Sequence, residues 1–277
     1  MRRPALVLAG TAALVWLLLP LLPIGLWAGA DRWSFPDALP QDWGTRGWSE
    51  ARGAGLAEAL QRSMLLGIAV AAVATPLGAM VGRLLGWRLT RHPRVVVLAL
   101  LVPLLLPPFA VSMGLDVIVL RLGVPELVSV VSVLVVFALP YTAYTCAVGY
   151  ARCSPGIEEQ ARALGASQRQ ARRRVTLPAV RSSLVIAALL AFLVGWSDYV
   201  VTLLLGGGQL VTAPVLLGAA ASGSGNEPAV AALAVATVGP PVLLVAAVLG
   251  AIAWSSRHRT ADRTSHLDMP AAERITA

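Results

Sequence analysis

Hydrophobic positions along this chain gather into six long runs separated by short polar stretches. Each run is close to the roughly 20 residues that a helix needs to cross a bilayer core. The runs predict spans over residues 5–27, 63–85, 95–113, 127–149, 183–205 and 229–254. Between the first two lies a polar stretch, residues 31–62, with Trp33, Trp43, Trp48, Pro36 and Pro40. Tryptophans there suit a membrane–water interface, and residues 57–62 read as a short helix lying before the second span. Residues 115–126 read as an outer connection. Residues 206–226 are rich in glycine and serine with an apolar middle, which leaves a re-entrant segment and a rim-packed one both open. Residues 1–254 thus form a single transmembrane domain, and residues 255–277 a flexible polar tail.

Some features qualify the runs. Pro103, Pro107 and Pro108 in the third, and Pro240 and Pro241 in the sixth, mark bent helices whose freed carbonyls must be satisfied by neighbours. The first run, followed by Ala28-Gly29-Ala30, could belong to a signal peptide. It exceeds the roughly 7–15 apolar residues of such a segment, so a retained first span is the preferred reading.

The longest polar interruption, residues 151–182, has a grammar of its own. Ser154-Pro155 suits a helix start, and Glu158 and Glu159 favour its positive end. Gly165 suits the left-handed residue that ends a helix. Ser167 with Gln170 reads as a capping box for a second short helix, with Arg172, Arg173 and Arg174 toward its end and Pro178 as its stop. Two short helices about a hinge make an element built to dock.

Composition narrows the class. The chain is 57% hydrophobic and 13% charged, against about a quarter charged in soluble domains, so an all-α integral membrane protein is expected. The net charge of +8 does not point to nucleic acid, because the arginines cluster in short loops between apolar runs. Of the 22 basic residues, all but Arg32, Arg46, Arg52, Arg62 and Arg121 fall on one side of the predicted topology. The positive-inside rule then places both termini and the 151–182 loop in the cytoplasm.

Lysine is absent, which excludes a phosphate-binding P-loop, whose lysine reaches the nucleotide. Any ATP-driven work needs a separate nucleotide-binding chain. Cys146 and Cys153, near a cytoplasmic span end, are expected as reduced thiols. With His92, His258 and His266 scattered, no metal site is expected. Ser222-Gly223-Ser224-Gly225 lacks the strand–turn–helix context of a serine nucleophile, and no catalytic residue is expected.

Glu159-x-Ala161-x-x-Leu164-Gly165-Ala166-Ser167, followed by Val175-Thr176-Leu177-Pro178, resembles the coupling loop, or EAA motif, of ABC-importer permeases. Trp196-Ser197-Asp198-Tyr199-Val200-Val201-Thr202 and Gly225-Asn226-Glu227-Pro228-Ala229 extend the likeness over most of the chain. Gln160, Arg172 and Ser182 depart from the usual residues. The resemblance implies a six-span type I importer permease fold in the bacterial cytoplasmic membrane. It implies a docking role for Glu159, Ala161, Leu164, Gly165, Ala166, Arg173, Leu177 and Pro178. It further implies a cytoplasmic ABC ATPase dimer that uses the ATP, a second permease subunit forming a heterodimer, and an extracytoplasmic solute-binding protein. No cofactor is then bound by this chain.

Asp198 is the clearest acid within a predicted span, where a carboxylate is costly unless it serves a path or a partner. With Ser197, Tyr199 and Thr202 it forms a candidate translocation path, structural hydrogen bonding being the alternative. The likeness around Asp198 and Gly225 is to polyamine, thiamine, ferric-iron and phosphonate permeases, with a polyamine the first choice. The rival reading is an ion-coupled secondary transporter, for which a repeated half is wanting.

Overall fold

The computed structural model describes residues 8, 10–12, 15, 16, 19, 21–34, 36–223 and 227–267, with residues 253 and 255–267 described by their backbone only. Within the expected first span, residues 5–27, residues 5–7, 9, 13, 14, 17, 18 and 20 lie outside the described residues; its end is helix α1 (Leu21–Ala28). The polar stretch after it folds as an antiparallel ribbon, β1 (Ala30–Arg32) with β2 (Asp42–Trp43), followed by α2 (Arg46–Gly53). Asp31 accepts the Arg46 amide at 2.9 Å, joining ribbon to helix.

Three helices carry the core: α3 (Leu56–Gly86), α6 (Glu126–Ala151) and α9 (Leu177–Ser197). The expected short helix over 57–62 and the second span are one helix, α3, since neither Arg62 nor Ser63 interrupts the backbone ladder. Gly78, Gly82 and Gly86 lie a turn apart along α3 and face α6. A Cβ on Gly82 would stand 2.8 Å from the Ala147 nitrogen and 2.9 Å from the Ala143 oxygen. On the other side, a Cβ on Gly195 of α9 would stand 2.9 Å from the Cα of Gly67. In lipid, where no hydrophobic force separates helix from solvent, such close backbone approach is what favours association. Leu66, Val70, Leu134, Ala138 and Ala191 fill the space between the three helices.

The third span departs from expectation. In place of one helix over 95–113 and a connection over 115–126 stand α4 (Pro93–Leu105) and α5 (Pro108–Leu122), bent by 90° at the break. A proline disfavours helical backbone in the residue before it, and Leu106, before Pro107, is extended at φ −90° and ψ 128°. Neither Pro107 nor Pro108 offers an N–H to carry the helix on.

The fifth span is displaced. Helix α8 (Gln168–Ala171), a π-helical turn (Arg172–Thr176) and α9 run on without a stop, so Pro178 does not end the helix as expected. The wide turn, in which the Leu177 amide reaches back to the Arg172 oxygen, spreads the carbonyls that the Pro178 ring would otherwise meet. Instead of reaching 205, the helix stops at Ser197, because Asp198 is extended (φ −71°, ψ 132°), and restarts as α10 (Val200–Leu205).

Residues 206–226 contain α11 (Ala213–Ala221), whose first amide donates to Ser63 Oγ at 2.8 Å and so pins it to α3. Helix α12 (Glu227–Leu267) includes the expected sixth span and continues helically through residues 255–267, expected as part of a flexible tail. Among the described residues, four stretches are long and apolar enough to cross a membrane: Leu56–Gly86, Glu126–Ala151, Gln168–Ser197 and Glu227–Ile252. The bent α4–α5 pair supplies a fifth if it counts as one broken span. The protein is an all-α membrane protein.

Candidate functional site

The loop between α6 and α9 begins with α7 (Gly156–Ala163). Its end is a Schellman motif. Gly165 takes the left-handed conformation at φ +87°. Its amide donates to the Arg162 oxygen at 2.9 Å, and the Ala166 amide to the Ala161 oxygen at 3.0 Å. Ala161, Gly165 and Ala166 therefore occupy the positions where this turn wants a small residue, a glycine and an apolar contact. Ser167 then caps α8 through a reciprocal box, Gln170 N–H to Ser167 Oγ at 3.3 Å and Ser167 N–H to Gln170 Oε1 at 2.8 Å. Two satisfied helix ends back to back make a rigid corner rather than a loose loop.

What the corner displays is equally specific. Leu164 is 89% exposed at its tip, an apolar side chain with no partner in this chain's core. Glu159, Arg173 and Pro178 are also exposed, whereas Ala161, Ala166 and Leu177 are half-buried.

The acid before Glu159 faces inward. Glu158 Oε2 accepts from Arg83 Nη2 of α3 at 2.6 Å, and its Oε1 accepts the Thr176 hydroxyl at 2.6 Å. The Arg83 guanidinium also lies 4.5 Å from the centre of the Trp87 ring. Trp87 in turn donates its indole N–H to the carbonyls of Tyr150 and Cys153, at 3.0 and 3.1 Å, and packs edge-on against Tyr150. Sequence reasoning missed this node, because Arg83 reads as one more topology arginine and Thr176 as part of a motif. The signal in the sequence was the doubled acid: neighbours on a helix point about 100° apart, so both cannot face the same partner.

The second set of candidates lies at the far end of α9, beside the middle of α6. A cavity of about 480 Å³ opens where the break between α4 and α5 meets the break between α9 and α10. Ser197, Asp198 and Tyr199 line it together with Tyr141, Phe137 and Pro103. Thr202 does not line it. That residue is buried, and both its amide and its hydroxyl donate to Asp198 Oδ2, at 2.7 and 2.8 Å. Asp198 thus caps the restarted helix while its carboxylate borders the cavity. Ser197 Oγ is committed to the Leu193 oxygen at 2.6 Å. The Tyr199 ring lies against Gly218 of α11, where an added Cβ would stand 3.0 Å from its Cζ. Tyr141 and Phe137, bland inside an apolar run, become cavity-lining only through the packing of α6. Residues 224–226, at the start of the second motif noted above, lie outside the described residues.

Membrane-length helices with a polar, rigid corner and a mainly apolar cavity between broken helices, bordered by Ser197 and Asp198, define a polytopic membrane protein of the transport class. Residues 74–257, from the middle of α3 into α12, match the family described as the binding-protein-dependent transport system inner membrane component, and the chain belongs to that family. It is a membrane subunit of an ABC importer and not an enzyme. No curated protein matches the chain.

Proposed function

We propose that this chain forms one half of the translocation path of an ATP-driven importer and takes its drive from a separate ATPase through residues 151–182. The observation that carries the reading is Leu164, a wholly displayed leucine on a corner braced by a Schellman turn and a capping box. An exposed apolar tip on a rigid support is what a partner's groove selects, and the absence of lysine leaves the chain without a P-loop of its own. The arginine distribution supports placing the corner and both termini in the cytoplasm, where the ATPase works. A second, different permease completes the path, and a solute-binding protein delivers solute from the far side.

The substrate in this reading is a small solute, with a polyamine first and thiamine, ferric iron or phosphonate after it. Support for a cationic solute comes from Asp198 at the edge of a cavity lined, apart from Ser197, by apolar and aromatic groups. Aromatic faces and one acid suit an amine with an aliphatic body.

The test is affinity purification from native membranes in mild detergent, comparing wild type with Gly165→Asp. At φ +87° an aspartate strains the corner, while no atom lies close enough to disturb the helices. The wild-type chain should retain an ATP-hydrolysing subunit that the variant loses. If neither co-purification nor crosslinking through residue 164 finds an ATPase, the reading of residues 151–182 as the element that couples to it fails.

A further inference from the structure

The two acids at the start of α7 divide between the inside and the outside of the protein, and their surroundings give them different tasks. Glu158 is 12% exposed in its side chain, and both its oxygens are used, one by Arg83 of α3 and the other by Thr176 of the π turn that leads into α9. Glu159, one residue on, is exposed and makes no such contact. A carboxylate held by a charge-assisted bond on one side and a hydroxyl on the other is among the stiffer connections available to a half-buried site. Its neighbours stiffen it further. Trp87, under the Arg83 guanidinium, holds the Tyr150 carbonyl of α6 and the Cys153 carbonyl just beyond it. The loop, α3, α6 and α9 therefore meet at one node of five side chains: Arg83, Trp87, Tyr150, Glu158 and Thr176.

We propose that Glu158 is the positioning residue that converts displacement of the loop into displacement of the core helices, while Glu159 is left to face the ATPase. The proposal rests on the coupling reading above. Without Glu158 the corner loses its ion pair to α3, and its two chain ends must carry more of any push. At one of these the π turn departs from regular helical bonding, a feature that lets a helix yield. A push on Leu164 would then be absorbed in that turn instead of reaching α3. Among the described residues the buried Arg83 Nε meets no acceptor, so the guanidinium keeps a spare donor with which to follow the carboxylate as the loop moves.

The experiment uses the permease purified with its ATPase and compares hydrogen exchange without nucleotide and with ATP plus orthovanadate. In the wild type, nucleotide should change exchange both in residues 159–171 and in the outer halves of α3 and α9. Glu158→Gln should keep the ATPase and the response of 159–171, yet lose at least fivefold of the response in α3 and α9. Glu159→Gln should weaken retention of the ATPase and lower the response of 159–171, α3 and α9 together. A wild-type response in the α3 and α9 of Glu158→Gln would overturn the proposal and leave the coupling reading standing. A wild-type chain that retains no ATPase would overturn both. If Glu158→Gln does not accumulate, Thr176→Val decides, since it keeps the ion pair and removes one strut. A response in α3 and α9 reduced at least twofold supports the proposal, and an unchanged one overturns it.

Discussion

Trp196 donates its indole N–H to the backbone carbonyl of Thr237 at 3.0 Å, across the buried contact between α9 and α12. That carbonyl is the one residue 241 would engage in a regular helix, and residue 241 is a proline without an N–H. The indole therefore replaces, from another helix, a hydrogen bond that α12 cannot make itself. Inside a membrane no water can do so instead.

Trp196→Phe should lower stability by about 1–2 kcal/mol, the cost of an unsatisfied buried carbonyl added to a small loss of packing. In a Pro241→Ala background the same change should cost less than half as much, since the alanine amide takes the carbonyl back. Thermal melts of the four chains in detergent, read as a double-mutant cycle, check this. Equal costs in both backgrounds would show that the indole does not serve that carbonyl.

Gly82→Leu should prevent α3 and α6 from meeting. A Cβ alone already falls within 3 Å of Ala143 and Ala147 backbone atoms, so Gly82→Ala is expected to cost about 1–3 kcal/mol by overpacking. Gly10 and Gly250, with open space around them, serve as controls. Folded yield by fluorescence-detected size exclusion separates the cases.

Asp198 has a capping duty apart from any contact with solute. Asp198→Ala should cost about 1–2 kcal/mol, as other lost N-terminal caps do, because the Thr202 amide and hydroxyl lose their acceptor. Asp198→Asn keeps an acceptor oxygen and should melt within about 0.5 kcal/mol of wild type, a cap exchange of near-equal residues. Uptake of a polyamine into cells carrying Asp198→Asn should nonetheless fall at least tenfold. Normal uptake would limit Asp198 to its cap.

Arg88 ends α3 in the left-handed conformation at φ 54°, and its neighbour's amide, that of Leu89, reaches back to the Leu84 oxygen at 2.9 Å. Glycine pays no steric cost there, so Arg88→Gly should stabilise the chain by about 1 kcal/mol. A melting temperature unchanged or lowered would mean that the arginine side chain contributes more than its backbone costs.

Much of this molecule was legible in the sequence because it depends on local chemistry. The length of the apolar runs located the helices. The spacing of Ser154, Gly165, Ser167 and Gln170 described the corner, since capping is decided within a few residues. Gly78, Gly82 and Gly86, small residues four apart, took on meaning only in the packed structure, where they let α3 approach α6. The breaks were harder to see. Pro107 broke its helix and Pro178 did not, though both are prolines in apolar surroundings. The difference lies in a π turn that only the packed loop supports. Asp198 looked like an acid buried in mid-helix, and its own restarted turn proved to be what it caps.

The sequence by itself determined that the chain is a membrane protein, where most of its long helices run, and that one polar loop carries two short helices about a glycine corner. Hydrophobic length and helix-end chemistry act over neighbouring residues and need no fold to be read. Only the tertiary structure decided that Glu158 looks inward to Arg83 while Glu159 looks out. It also decided that Trp196 answers a carbonyl left free by Pro241, and that two helix breaks enclose one cavity. Those are relations between residues distant in the chain, and it is close packing of the helices that brings such residues within hydrogen-bond reach.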